Sequence, residues 1–231
     1  KKKKKNINQL QMLKRALAGT VGVAAALRRP CLTTTRHAGT LSSAVNSMLL
    51  RSLKDHYLEV AKMTMPPKVA PPDAFSIVKG ALDSDGPVLK RSYGNEEISL
   101  YVTRLLSGMD DESSGIDQLF LHVDVSKPGQ DESLIFLCGL YEDALGIHSV
   151  SMRPKDMKTR YLVIPTQYIG PNFEDLDERT RDAFHSYIEE RGVNESLFKF
   201  LQAWLYVKDH RNLMRWFKTL GMFIDGGKKQ S

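Results

Sequence analysis

The chain has 231 residues, with 33 Lys or Arg against 27 Asp or Glu and a formal net charge of +6. That length holds one sizeable domain with its own core, or at most two small ones. The charge would suggest a nucleic-acid or anionic-membrane partner, but it is confined: residues 1–52 carry 11 Lys or Arg and no acid, and the first carboxylate is Asp55, so the remainder holds 22 cations against 27 acids. Two distant cysteines, Cys31 and Cys138, exclude a disulfide framework or a CxxC pair and fit a reducing compartment.

Residues 12–52 are rich in Arg, Ala, Leu, Ser and Thr, the composition of an organelle transit peptide. The apolar stretch Ala16–Leu27 is shorter than the roughly 20 residues a bilayer span requires. Arg28, Arg29, Arg36 and Arg51 follow it, which favours mitochondrial import over a chloroplast or secretory address, with processing near Arg36–Gly39. The lysine run before Met12 looks like translated non-coding sequence, so residues 1–44 are read as a targeting segment (1–11 non-native) and 45–231 as the domain.

The domain opens with a helix over about Ser43–Thr64, where Leu49, Leu50, Leu53, Tyr57, Val60 and Ala61 make one apolar stripe. Pro66-Pro67 and Pro71-Pro72 end it in a stiff linker. Alternation marks strands at Ile98–Val102 and Leu119–Val125, and Leu134–Tyr141 is apolar on both faces, as a central strand would be. Shorter segments near Phe75–Lys79, Val88–Ser92, Ile147–Met152 and Tyr161–Ile169 bring the strands to seven. Turn signals rather than helices separate them, which predicts an antiparallel meander.

Two helices close the chain. The first is expected to hold Glu174, Asp175, Asp177 and Glu178 in its first turn and to bury Leu176, Ala183, Phe184, Tyr187 and Ile188, with Arg191-Gly192 as its stop. Asn194 caps the second, running to about Ile224 with Leu197, Phe198, Leu201, Trp204, Leu205, Leu213, Trp216, Phe217, Leu220, Phe223 and Ile224 inward. Its length, about 45 Å at 1.5 Å per residue, exceeds what a fold of this size covers, which predicts packing on another subunit.

No catalytic or cofactor motif stands out: there is no Gly-rich phosphate loop, GxSxG, HExxH or paired Cys/His spacing. The histidines have no matched second ligand, and Asp110-Asp111-Glu112 lacks the spacing and glycine of an EF-hand. No enzyme activity, cofactor or metal is expected.

The C-terminal third resembles the mitochondrial glycoprotein family through Tyr168-Ile-Gly-Pro-Asn-Phe-Glu-Asp-Leu-Asp-Glu178, Phe184–Val193 and the long Trp/Phe-bearing helix. Val88–Tyr93, Ile98–Val102 and Leu134–Asp143 are similar to its strands, and the likeness covers about residues 45–231. It implies an α+β fold: a seven-stranded twisted antiparallel sheet, one N-terminal and two C-terminal helices, and a ring-shaped homotrimer. It also implies a non-enzymatic mitochondrial matrix adaptor, chaperone-like, that binds basic or ribosome-associated proteins and supports mitochondrial translation and oxidative phosphorylation. Departing from the very acidic family members, this domain is only mildly acidic: residues 73–143 hold 14 acids against 5 bases, and residues 153–231 hold 14 bases against 11 acids. The partner-binding candidates are Asp83, Asp85, Asp110, Asp111, Glu112, Asp131 and Glu132. The oligomer-interface candidates are Leu53, Tyr57, Trp204, Leu205, Leu213, Trp216, Phe217 and Leu220. The alternative is RNA or ribosome binding through Lys208, Arg211, Arg215 and Lys218.

Overall fold

The structure, a computed structural model, describes residues 38–104, 118–155 and 170–226. The chain divides into two compact units, Lys1–Met65 with Asp209–Ser231, and Pro66–Lys208.

The unit 66–208 is built on a sheet of β1 (Ser76–Ile77), β2 (Leu89–Tyr93), β3 (Glu96–Thr103), β4 (Leu119–Ser126), β5 (Glu132–Leu140) and β6 (Leu145–Pro154), in that order. Every neighbour is antiparallel, so the turn signals did mark a meander. The register carries the alternation across the strands: Ile98, Val125 and Leu134 are successive partners, as are Leu100, Val123 and Phe136. These residues share one face, because side chains of paired antiparallel positions point the same way. Gly94, at φ 58, supplies the left-handed conformation that the tight β2–β3 turn demands. The expected seventh strand, Tyr161–Ile169, lies outside the described residues.

The core face is covered by α2 (Glu178–Glu190) and the first turns of α3 (Leu197–Ile224). Phe184, Tyr187 and Ile188 reach the sheet from α2 as expected, whereas Ala183 is exposed. Glu174 and Asp175 are not in the first turn of α2. They belong to a separate 3-10 turn, Phe173–Asp175, whose Phe173 is buried in the core. Asp177 is the N-cap instead, its carboxylate accepting from the Thr180 N–H at 3.0 Å and the Thr180 hydroxyl at 2.7 Å.

At the other end of α2 the Arg191-Gly192 stop takes the Schellman form. The Val193 N–H donates to the Ile188 carbonyl at 3.0 Å and the Gly192 N–H to that of Glu189 at 2.7 Å, with Ile188 and Val193 both fully buried. Gly192 has φ +79, and a β-carbon there would run into Arg91 Nη1 and come within 3.2 Å of the Phe75 ring. Gly192→Ala is therefore expected to cost about 2 kcal/mol in urea denaturation, from left-handed strain and displacement of Arg91 together.

In the other unit, α1 (Ala38–Ala61) runs antiparallel to the second half of α3. Val60 accepts a hydrogen bond from His210 Nε2 at 2.9 Å, while His56 stacks on Phe217 and Lys218 sits over the Tyr57 ring. Leu53, Val60, Leu213 and Phe217 form the buried contact, and Tyr57, Leu220 and Ile224 pack against it half-buried. The helix starts and ends earlier than the 43–64 expected; Lys62 and Met63 continue as turns. Two further expectations fail. Trp216 is 52 % and Phe223 82 % exposed, because the stripe facing α1 passes through Leu213 and Phe217, and the neighbouring position 216 is rotated about 100° away from 217.

Candidate interaction surfaces

In a meander, successive turns leave the sheet at alternating ends. The loop before β2, the β3–β4 connection and the β5–β6 turn share one end; the β2–β3 and β4–β5 turns share the other. This parity divides the acidic candidates.

At the first end, Gly80 leads into the 3-10 turn Ala81–Asp83, which buries Ala81 and leaves Asp83 exposed. Lys208 Nζ donates to the Ser84 carbonyl at 2.8 Å, pinning the loop that presents the exposed Asp85, whose carboxylate is 3.9 Å from the same ammonium. Across the sheet at this end, the Tyr141 N–H donates to the Ala144 carbonyl at 2.8 Å, closing a turn with Glu142 and Asp143 exposed at its centre. These two acids end the Leu134–Asp143 segment that resembles a family strand and are not among the binding candidates expected from the sequence. Asp110, Asp111 and Glu112 lie outside the described residues.

Asp131 and Glu132 stand at the opposite end, among cations. The Lys155 N–H donates to the Asp131 carbonyl and Lys155 Nζ to the Lys127 carbonyl. Glu96 lies at this end too, held by Arg191 Nε at 2.7 Å and Lys127 Nζ at 3.2 Å. Arg191 in turn donates to the Tyr187 carbonyl and lies 3.4 Å from the centre of the Tyr187 ring. The guanidinium hydrogen bond is the largest influence holding the Glu96 carboxyl below its ordinary range, against its burial. This joint ties β3 to α2 and is structural rather than a partner surface.

The face of the sheet turned away from α2 is polar at its centre, with Ser99, His122, Ser133 and Ser151 buried there. Burial, with Arg153 nearby, pushes His122 down to about 4, so the imidazole is neutral at neutral pH. A bulge opposite Cys138 leaves His148 as the extra residue of β6, its ring stacked on Phe120. Cys138 itself is buried in the core and its thiol is pushed up to about 12, which makes it unreactive. Among the described residues no three of His, Cys, Asp and Glu gather into a metal-holding group. No described helix is long and apolar enough to cross a membrane.

The cationic set Lys208, Arg211, Arg215 and Lys218 is not one free patch. Lys208 serves the 84–85 loop and Lys218 rests on Tyr57, while Arg211 and Arg215 are exposed. Of the interface candidates, Leu53, Trp204, Leu205, Leu213 and Phe217 are buried within the chain. Tyr57 and Leu220 are half-buried, and Trp216 is open.

Residues 72–224 match the family model described as mitochondrial glycoprotein, MAM33. The chain is 30% identical over 108 residues to the mitochondrial acidic protein mam33 of Schizosaccharomyces pombe, covering 44% of this chain and 40% of that protein. It is also 30% identical over 148 residues to an uncharacterized mitochondrial protein of Arabidopsis thaliana, covering 59% and 57%. The matches thus span 40% and 57% of these relatives' lengths. Among solved structures, the Trypanosoma brucei p22 protein superposes with TM-score 0.55 at 23% identity, over 80% of this chain and 100% of that one. A Leishmania major protein described as a sequence homologue of human p32 gives 0.56 at 16%, over 77% and 98%. At those identities the structures show a shared fold.

Proposed function

Because the chain belongs to the mitochondrial glycoprotein family, we propose that it is a non-enzymatic adaptor of the mitochondrial matrix that holds basic protein partners on an acidic surface. The observation that supports this reading most is the end of the sheet bearing Asp83, Asp85, Glu142 and Asp143. All four are exposed, on two turns fixed by backbone hydrogen bonds or by Lys208. Preset carboxylates facing solvent attract cationic partners over a Debye length and set their orientation, without the burial that would make each pair costly. A homotrimer that supports mitochondrial translation and oxidative phosphorylation is the finer form of the reading.

Oligolysine serves as the probe. The full chain is expected to bind it more weakly as salt rises, and several-fold more weakly in the D83N/D85N/E142Q/D143N variant at low salt. Binding that ignores both salt and the four substitutions removes the acidic surface from the reading. Light scattering on the same samples tests the trimer, which requires three times the 26.1 kDa chain mass.

A further inference from the structure

The Lys208 ammonium sits among three groups that together make a cation seat. Its Nζ donates to the Ser84 carbonyl at 2.8 Å, stands 3.9 Å from an Asp85 carboxylate oxygen and lies 5.2 Å from the centre of the Trp204 ring. A carbonyl acceptor, a carboxylate and an indole face are what recognise a primary ammonium. All four residues belong to the unit 66–208. Trp204 is buried in the core one helical turn before Lys208, so the lysine side chain runs along it and is only 16 % exposed, while its tip reaches the acidic end of the sheet.

The two sides of this contact are unequal. The lysine is packed, but the Asp85 side chain is fully exposed, on a turn that the Gly86 N–H closes on the Ser84 hydroxyl at 3.4 Å. An ion pair with one wholly solvated partner is held lightly, and the flexible four-carbon stem of a lysine lets its ammonium swing into water. The seat is built for a cation, and its occupant is exchangeable.

We infer that the Ser84 carbonyl, Asp85 and Trp204 form a binding seat for a lysine ammonium of a basic partner, and that Lys208 is its resident competitor. In the free protein Lys208 fills the seat and presets the turn. A partner's lysine takes the same carbonyl and carboxylate as Lys208 turns out to solvent. This rests on the acidic end of the sheet being the partner surface, and it adds the ligand, a lysyl side chain, and the residue that sets its affinity.

The probe is oligolysine, bound to the full chain at low salt. Lys208→Met keeps the stem against Trp204 and removes the charge, and is expected to bind about fivefold more tightly than wild type. Lys208→Gln, a second neutral side chain, should follow it, and Lys208→Arg, which keeps a cation at the seat, should gain nothing. Removing any cation near an acidic surface strengthens polycation binding to some degree, so the deciding result is coupling. In an Asp85→Asn background the gain from Lys208→Met should disappear. A gain that persists in that background, a gain in K208R, or neutral variants that bind no more tightly than wild type overturns the inference. Weaker binding by K208M and K208Q overturns it too, and makes Lys208 a clamp that partners need. Wild-type binding that responds to salt and to the D83N/D85N/E142Q/D143N substitutions while K208M matches wild type removes the seat and leaves the acidic surface standing. Wild-type binding indifferent to both removes the surface itself.

Discussion

Replacing Glu96 by Ala is expected to lower the unfolding free energy by about 3 kcal/mol, because it strands a buried guanidinium. Glu96 and Arg191 are each 7 % exposed, and the Glu96 carboxylate accepts from Arg191 Nε at 2.7 Å and from the Tyr187 hydroxyl at 3.4 Å. Without it, Arg191 keeps the Tyr187 carbonyl and the faces of the Tyr187 and Tyr93 rings, and no carboxylate. Lys127, partly exposed, is free to turn to water, which is why the expected cost sits at the lower end for a broken buried pair. Urea denaturation measures the loss. Glu96→Ala combined with Arg191→Leu should cost clearly less than the two single changes added, since removing both charges leaves neither stranded. Additive costs would show that the pair is not coupled.

The same carboxyl gives a pH dependence with a definite sign. Its folded pKa is depressed, chiefly by the Arg191 hydrogen bond, so the folded state binds fewer protons than the unfolded one as pH falls. The stabilisation is fully present above the unfolded value, about 4.3 for a glutamate. It is lost as pH drops through the lower folded value. Wild type should therefore lose stability relative to Glu96→Gln below about pH 5 and run parallel to it above.

Much of the meander was legible because each strand carries its own period and each turn its own breaker; Ile98–Val102 and Leu119–Val125 show this directly. The Arg191-Gly192 stop was equally local. The Glu96–Arg191 pair was not, since its members are 95 positions apart and nothing around either residue names the other. Trp216 was misplaced for a finer reason. On a helix with large apolar residues at both 216 and 217, periodicity shows that one faces inward, but only the phase set by Leu213 and His210 against α1 selects Phe217. The split of the acidic residues could have been deduced. Counting strands puts Asp131 at the end opposite Asp83 whatever the side chains do, and puts Glu142 and Asp143 beside the first group.

Phe136→Ala is expected to be the most destabilising single truncation, at about 4 kcal/mol, or about 10 °C in Tm for a domain of this size. The side chain is fully buried at the middle of β5, between Val123 on β4 and Val150 on β6. It stacks on Tyr187 at 5.9 Å and meets Phe184 edge-on at 6.0 Å, so it is the point where α2 is seated on the sheet. Its loss leaves a cavity that backbone on both sides of β5 prevents from collapsing. Cys138, two residues along and on the same face, supplies an independent readout. In a Cys31→Ser background its buried thiol should resist a disulfide reagent in the wild type and react much faster in Phe136→Ala, as α2 loosens from the sheet. Phe136→Leu, which refills most of the volume, should restore protection and recover more than half of the stability. A destabilised Phe136→Ala variant whose Cys138 remains protected would mean that the ring stabilises β5 against its neighbouring strands rather than seating α2.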